Sequence, residues 1–188
     1  VKRVMFSGEI MPAKQLRLWQ EAFPQAEFIN LYGPTEITCN CTYYPVKRIY
    51  EDGERLPIGR PFPGRRVFLL DEAGKEVTIP EEPGEICVAG ESLSEGYYNN
   101  PRETEERFVY PFPDEPKVRC YRTGDLGYYG RDGELYFCGR KDFQVKHMGH
   151  RIELEEIEHS MNQIQGLEKS CCLMDYRKNQ LVAFYLGE

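Results

Sequence analysis

The sequence predicts an α+β protein with three parts: the end of an α/β sheet subdomain, a small distorted β-barrel, and a truncated small α+β domain. Two changes in sequence pattern predict this order. Residues 1–36 read strand, helix, strand; residues 37–139 carry short β-rich runs between turn signals; residues 142–188 combine a hairpin, a helix and two strands. We therefore predict the C-terminal part of a large domain at 1–141 and a small domain that begins at residue 142.

The α/β segment is predicted from apolar runs and two prolines. Residues 4–6 form an apolar run that indicates a strand, and Pro12 suits the first turn of a helix. Large apolar residues then recur at helical spacing until Pro24, and residues 28–32 resume as a strand. This pattern is typical of a βαβ-like unit within a larger sheet.

The β-rich segment is predicted from turn residues that separate short strands. Residues 66–70 and 85–89 are strand-like runs, and the pair Asp132 and Gly133 is a hairpin turn signal. A small open β-barrel is the natural arrangement for such strands.

The last segment is predicted from a change of period. Residues 143–146 and 151–153 predict a hairpin. Apolar residues at helical spacing then predict an amphipathic helix that ends at Gly166, and residues 171–174 and 181–185 predict two closing strands.

Composition and charge exclude several functional classes. The chain has 188 residues and a net charge of 24 − 31 = −7, so we expect neither nucleic acid nor an anionic membrane as a partner. No run approaches the ~20 apolar residues of a membrane span. The seven cysteines include no C-x-x-C pair, which favours reduced thiols in the cytoplasm. The start, without Met or a signal-like region, suggests a piece of a longer chain.

The densest group of chemically useful residues is the string NLYGPTE at residues 30–36. The Tyr32 ring can stack on a nucleobase, and Gly33 lets the backbone come close to a ligand. The Thr35 hydroxyl can donate to a phosphate oxygen, and the Glu36 carboxylate can hold Mg²⁺ against that phosphate. A solvated turn that carries Thr and Glu by chance is the alternative for this string alone.

Two further strings contain charged residues that could bind a ligand, but neither string predicts a binding site by itself. In YRTGDL, Asp125 follows a predicted glycine turn, where its carboxylate could accept from both hydroxyls of a ribose, although such residues are more often caps. Residues 139–146 concentrate cations beside the predicted boundary, and a solvated charged strand explains them equally well. His147 and His150 are metal-ligand types, but Gly149 between them favours a turn.

In this order and at these separations, the three strings resemble the adenylate-forming (ANL) enzymes, which include nonribosomal peptide synthetase adenylation domains, acyl-CoA synthetases and luciferases. The strings GEICVAG at 84–90 and GYYNNP at 96–101 match as well, so the resemblance covers essentially the whole chain. Residues 143–146 and 151–158 look like the amino-acid-activating branch, and the closest pattern is that of the D-alanine–carrier protein ligases.

The resemblance implies a role for each matching residue. Those of the nucleotide site are Gly8, Glu9, Asn30, Tyr32, Gly33, Pro34, Thr35, Asp125, Phe137 and Arg140. Those with catalytic roles are Thr35, Glu36 (also the Mg²⁺ ligand), Arg140 and Lys146. Those of the acid pocket are Ser7 and Cys39. Asp142 would be the hinge about which the small domain turns. Lys146 and Gly149 would lie on a hairpin that acts in the second step, the transfer of the acyl group.

The resemblance also implies an ATP- and Mg²⁺-dependent ligase. It would join an amino acid, with D-alanine as one candidate, to AMP and then transfer the acyl group to the phosphopantetheine thiol of a carrier protein. Ser7 stands where we expect Cys in D-alanine ligases, so the acid stays open. The family's phosphate loop and late catalytic Lys have no match here, so we expect this chain alone to be inactive. An acyl-CoA synthetase for another acid and a non-catalytic nucleotide-binding or carrier-docking module are the alternatives.

Overall fold

The structure, a computed structural model, describes residues 1–142 and 144–187. The chain forms two compact units, Val1–Lys141 and Asp142–Glu188. Both units combine strands with short helices, so the predicted α+β class is confirmed. None of the described helices is long and apolar enough to cross a membrane.

The first sheet of the first unit has four strands. β1 (Arg3–Phe6) and β2 (Glu27–Tyr32) are parallel and are joined by α1 (Ala13–Ala22), as the apolar pattern predicts. β3 (Thr42–Pro45) and β4 (Arg60–Pro61) continue the sheet in antiparallel pairs. The apolar face of α1 packs on β2, which buries both elements in one cluster.

The second sheet is antiparallel and is curled into a half-barrel. Its strands are β5 (Arg65–Leu70), β6 (Gly84–Gly90), β7 (Phe108–Val109), β8 (Cys120–Tyr129) and β9 (Leu135–Arg140). Strand β8 is central, because it pairs with β6, β7 and β9. Inward residues of these strands share one buried apolar cluster with the last residue of β2, which brings the end of β2 to the second sheet.

The predicted turn at Gly124 is wrong, because this glycine lies inside strand β8. The strand pairs with β6 on both sides of the glycine, and the register shifts between Glu85 and Cys87 of that partner. Gly124 itself has a φ of +73°, a left-handed conformation that favours glycine. The Gly-Asp signal therefore marks an irregularity within a strand.

A short helix, α2 (Pro101–Arg107), precedes β7 and was not predicted. Asn100 caps it, because the Asn100 side chain accepts from the Glu103 N–H at 3.2 Å, and Pro101 occupies its first turn. None of its residues is buried, so the helix has no apolar period by which the sequence could reveal it.

The second unit contains a hairpin, a helix and a second strand pair. β10 (Gln144–His147) pairs with β11 (His150–Glu153), as predicted, and α3 (Leu154–Met161) follows directly. β12 (Leu167–Asp175) and β13 (Gln180–Gly187) then form an antiparallel pair. Buried side chains of β10, α3 and β12 make the small core of this unit.

Helix α3 ends before its predicted stop at Gly166. The N–H groups of Gln163 and Ile164 bond to carbonyls only three residues earlier, at 3.3 and 3.0 Å, so the chain tightens after Met161. Gly166 still has a left-handed φ of +94°, but it closes this turn and not the helix itself.

Candidate functional site

The carboxyl ends of β1 and β2 bring two predicted segments to the same edge of the first sheet. The parallel register pairs Phe6 with Asn30, so the segment after β1 leaves the sheet beside the end of β2. Ser7, Gly8 and Glu9 follow β1 and are exposed, whereas Tyr32 ends β2 and is buried. Loops at the carboxyl ends of parallel strands are a common place for a ligand.

The segment after Tyr32 folds back tightly on Gly33. The Cys41 N–H donates to the Tyr32 carbonyl at 2.7 Å, and a Cβ on Gly33 would lie 2.4 Å from the Cys39 carbonyl oxygen. Only glycine fits there without a shift of the backbone. Within this loop a three-residue 3-10 turn, Thr35–Ile37, leaves Thr35 exposed and buries Glu36.

Tyr32, Asp125 and Arg140 meet in one buried cluster, although they are far apart in the sequence. The Tyr32 hydroxyl donates to one carboxylate oxygen of Asp125 at 2.6 Å, and Arg140 forms an ion pair with the other oxygen. Burial, and secondly the Asp125 charge, raise the pKa of Tyr32 well above its usual value. The side chain of Asp125 is only 4% exposed, so these two partners replace the water that burial removes from its carboxylate.

The backbone around Asp125 is held by a second group of residues, for which the sequence predicts no role. The Thr123 hydroxyl accepts from the Asp125 N–H at 3.0 Å and donates to the Ile86 carbonyl at 2.8 Å. The Glu85 carboxylate accepts from the Gly124 N–H at 3.1 Å and from the Arg122 guanidinium at 3.1 Å. Glu85 belongs to the quoted string GEICVAG, but nothing in that string shows where its side chain lies.

Glu36 is held by a loop that follows β6. The Tyr97 hydroxyl donates to a carboxylate oxygen of Glu36 at 2.6 Å, and the Ser94 N–H donates to the Glu36 carbonyl at 2.8 Å. Burial, and secondly the bond to Glu36, raise the pKa of Tyr97 well above its usual value. Tyr97 belongs to the string GYYNNP, but nothing in that string predicts its link to Glu36.

The remaining predicted residues of the first unit make other contacts. Asn30 is buried, and its amide donates to the Pro57 carbonyl at 2.8 Å. The Ser7 hydroxyl donates to the Asn40 side chain at 2.7 Å, and that side chain also donates to the Cys39 sulfur at 3.3 Å. Asn40 thus links the two predicted acid-pocket residues.

Phe137 and Pro34 are placed by the chain around them. Phe137 is half-buried on β9, where it packs against the same apolar cluster as the end of β2. Pro34 precedes the Thr35–Ile37 turn in an extended conformation, with a φ of −85°, and its carbonyl accepts from the Ile37 N–H at 3.3 Å.

Three predicted residues belong to the second unit. The Asp142 carboxylate accepts from the Gln144 N–H at 3.3 Å, and Lys146 is half-buried on β10. Met148 and Gly149 have φ values of +51° and +79°, which is the tight turn of the β10–β11 hairpin. Phe143 lies outside the described residues.

The residues around Glu36 fit a magnesium ion that also contacts a phosphate. Proteins usually hold Mg²⁺ by one or two carboxylates together with substrate phosphates, and Glu36 offers one hard anionic group next to the exposed Thr35 hydroxyl. Among the residues that the structure describes, no three His, Cys, Asp or Glu side chains group into a metal site, His147 and His150 included.

Comparison with known proteins gives one family and consistent relatives. The family described as "AMP-binding enzyme" matches residues 1–98. Surfactin synthase subunit 1 of Bacillus subtilis is 39% identical over 100% of this chain and 5% of its own length. D-alanine–D-alanyl carrier protein ligase of Streptococcus equi is 40% identical over 94% of this chain and 34% of its own length.

A solved structure has the same fold over the full length of the chain. Holo-PA1221, described as a nonribosomal peptide synthetase protein that contains adenylation and PCP domains, superposes with a TM-score of 0.90 at 33% identity. The match covers 100% of this chain and 33% of that protein. The chain therefore spans about a third, or less, of each of these three proteins.

Proposed function

We propose that this chain, which belongs to the AMP-binding enzyme family, is part of an ATP-dependent, AMP-forming ligase that activates an amino acid and passes it to a carrier protein. The observation that carries the proposal is the buried cluster of Tyr32, Asp125 and Arg140. It brings together Tyr32 of the first string, Asp125 of the second and Arg140 of the third, as a single nucleotide site requires. The carrier-protein ligase and the adenylation–PCP protein among the relatives support the amino acid and the carrier.

In this proposal the first unit supplies the nucleotide site. Asp125 accepts from the ribose hydroxyls, and the Tyr32 ring lies against the adenine, near Gly8, Glu9 and Gly33. Arg140 lies beside Asp125 and places a cation near the sugar and phosphate. These groups act by positioning and electrostatics, which supply most of the acceleration in reactions at phosphorus.

The reaction requires the acid carboxylate to attack the α-phosphate. The Thr35 hydroxyl donates to that phosphate, and Glu36 would hold Mg²⁺, whose charge would stabilise the negative charge of the leaving pyrophosphate. In this proposal Ser7 and Cys39 contact the acid, and the bonds of both side chains to Asn40 support placing them together. Ser7 in place of the expected Cys leaves D-alanine as one of several amino acids to test.

The second unit supplies the acyl-transfer step. Asp142 begins this unit and is the proposed hinge, and Lys146 and Gly149 belong to the hairpin that acts when the phosphopantetheine thiol attacks the acyl carbon. An Asp142→Pro change, which fixes φ near −65°, should spare acyl-AMP formation and lower carrier loading. Equal losses in both steps would show that Asp142 is not the hinge.

The proposal is tested by ATP–pyrophosphate exchange in the full-length ligase that we propose contains this chain. Exchange is measured across D- and L-amino acids and simple carboxylic acids. Asp125→Asn should lower exchange about 10- to 100-fold, because hydrogen bonds to a charged group contribute about 1.5–3 kcal/mol. Asp114→Asn, in an exposed loop, is the control and should change nothing. Unchanged exchange in Asp125→Asn would overturn the proposed nucleotide site.

A further inference from the structure

We infer that Tyr97 is a positioning residue that orients the Glu36 carboxylate for a divalent cation, so that Tyr97 sets how tightly the site binds that cation. This inference rests on the proposed function, because it takes Glu36 as the cation ligand. Nothing in the sequence strings assigns Tyr97 a role. The contact itself is direct, with 2.6 Å between the Tyr97 hydroxyl and the Glu36 carboxylate.

The direction of the hydrogen bonds around Tyr97 follows from the chemistry of its partners. An ionised carboxylate can only accept, so Tyr97 donates its one proton to Glu36. The Tyr121 hydroxyl lies 3.2 Å from the Tyr97 oxygen and therefore donates to it. Tyr121 is fully buried, and the chain Tyr121, Tyr97, Glu36 begins in the core of the second sheet. Hydrogen bonds in such a series polarise and strengthen one another.

The backbone of Tyr97 is fixed by the residues that start α2. Its N–H donates to the Thr104 hydroxyl at 2.9 Å, and that hydroxyl donates to the Asn100 carbonyl at 2.8 Å. Gly96 packs so closely on Thr104 that a Cβ there would lie 2.4 Å from the Thr104 methyl carbon. The position of the Tyr97 ring is therefore set before any ligand binds.

The loop before Tyr97 is fixed by Arg119. Its guanidinium donates to the carbonyls of Ser94 and Glu95, at 3.1 and 2.7 Å, and lies 4.5 Å from the centre of the Phe108 ring. The Tyr97 ring meets the same Phe108 ring edge-on, with the centroids 5.9 Å apart. The Phe108 ring thus contacts both Tyr97 and the arginine that holds the two residues shortly before it.

Glu36 needs such support because its own element is short. Glu36 lies on the three-residue turn Thr35–Ile37, and Thr38, the residue after that turn, has a left-handed φ of +59°. The loop holds both sides of the turn: the Ser94 N–H donates to the Glu36 carbonyl, and the Thr38 hydroxyl donates to the Ser92 carbonyl at 2.9 Å. Residues that orient a metal ligand in this way typically change metal affinity 10- to 100-fold when they are mutated.

The test compares Tyr97→Phe with Tyr98→Phe in the full-length ligase. Tyr98 is the neighbouring tyrosine and is 94% exposed, so its variant controls for the loss of one hydroxyl from the same loop. The probe is Mn²⁺, whose binding in the presence of ATP is followed by electron paramagnetic resonance. We expect Tyr97→Phe to weaken Mn²⁺ binding about 10-fold and Tyr98→Phe to leave it unchanged.

A second readout separates positioning from general damage. ATP–pyrophosphate exchange in Tyr97→Phe should need about 10-fold more Mg²⁺ for half-maximal rate, and should return to within about twofold of wild type at saturating Mg²⁺. If Tyr97→Phe does not fold, Arg119→Lys takes its place, because lysine cannot hold both loop carbonyls with a planar fork. We expect that variant to weaken Mn²⁺ binding about threefold.

Each remaining outcome overturns the inference. Mn²⁺ affinity in Tyr97→Phe equal to wild type, or equal losses in Tyr97→Phe and Tyr98→Phe, would show that Tyr97 does not orient the ligand. Unchanged affinity in Arg119→Lys would have the same meaning if that variant is used. A wild-type ligase without ATP-dependent Mn²⁺ binding and without exchange would instead refute the proposed function, and the inference with it.

Discussion

Asp125 and Glu36, two of the buried carboxylates of the first unit, are held in different ways. Asp125 lies on β8, a strand that is paired on both sides, and its partners include the charged side chain of Arg140. Glu36 lies on a three-residue turn, and the hydroxyl of Tyr97 reaches it from a separate loop. The first carboxylate is part of a sheet, whereas the second depends on a contact between two loops.

This difference predicts what mutations will change. Residues that support Asp125 also hold the strands of the second sheet together, so their loss should lower the free energy of unfolding of the whole unit. Residues that support Glu36 hold a loop, so their loss should mainly change local geometry and ligand binding. Urea unfolding of this chain can compare the residues that support Asp125 with those that support Glu36. We expect four effects, from the largest to the smallest.

The largest loss of stability is expected from Glu85→Gln, because the Glu85 carboxylate accepts from the N–H of Gly124, the residue before Asp125. The change leaves Arg122 without its buried carboxylate partner and should lower the free energy of unfolding by about 3 kcal/mol. Glu81→Gln removes the partner of Arg131 in an exposed pair and should cost less than about 1 kcal/mol. Similar losses in the two variants would contradict the view that the sheet depends on Glu85.

Gly33→Ala tests how closely the backbone of the Glu36 loop packs on Gly33. The new Cβ would meet backbone atoms of Cys39, Asn40 and Cys41 within 2.7 Å, so we expect a loss of about 2 kcal/mol. Gly53→Ala has no atom within 4 Å of its new Cβ, and only its left-handed φ should cost about 1 kcal/mol. If Gly33→Ala unfolds at the same urea concentration as Gly53→Ala or at a higher one, the loop that carries Glu36 can shift to accommodate the new Cβ.

Tyr32→Phe and Tyr97→Phe compare the two hydroxyl donors directly. Tyr32 bonds to a deeply buried charge, so its variant should lose about 1.5 kcal/mol at pH 7. Tyr97 is half-buried, and its variant should lose no more than about 0.5 kcal/mol. The opposite order would mean that the Glu36 loop contributes more to global stability than the Asp125 cluster does.

The smallest difference is expected between wild type and Tyr32→Phe at alkaline pH. Because the pKa of Tyr32 is higher in the folded than in the unfolded chain, the folded chain binds more protons above pH 10 and loses stability as the pH rises. Above pH 10, a tyrosine whose pKa is raised in the folded chain lowers the free energy of unfolding by up to about 1.4 kcal/mol for each pH unit. The advantage of wild type over Tyr32→Phe should therefore vanish near pH 11. A constant difference from pH 8 to 11 would show that this pKa is not raised.

Much of the fold could be predicted because it depends on neighbouring residues. The β1–α1–β2 unit and the β10–β11 hairpin each follow from local apolar spacing and turn residues, and the structure confirms both. The sequence signals the start of the short helix α2 at Asn100, Pro101 and Glu103, but no buried apolar period follows, so that start alone did not reveal the helix. The predicted turn at Gly124 was wrong, because a glycine within an irregular strand gives the same local signal as a turn.

For the site, the sequence alone determined which residue types are present and their order along the chain. It did not determine which side chains meet. Tyr32 and Asp125 are 93 residues apart, and Glu36 and Tyr97 are 61 residues apart. Local propensity acts over a few residues, whereas these contacts arise only when the second sheet closes on the end of β2 and the loop after β6 packs on the Thr35–Ile37 turn. Tertiary packing therefore decided which of the 13 tyrosines donate to Asp125 and Glu36.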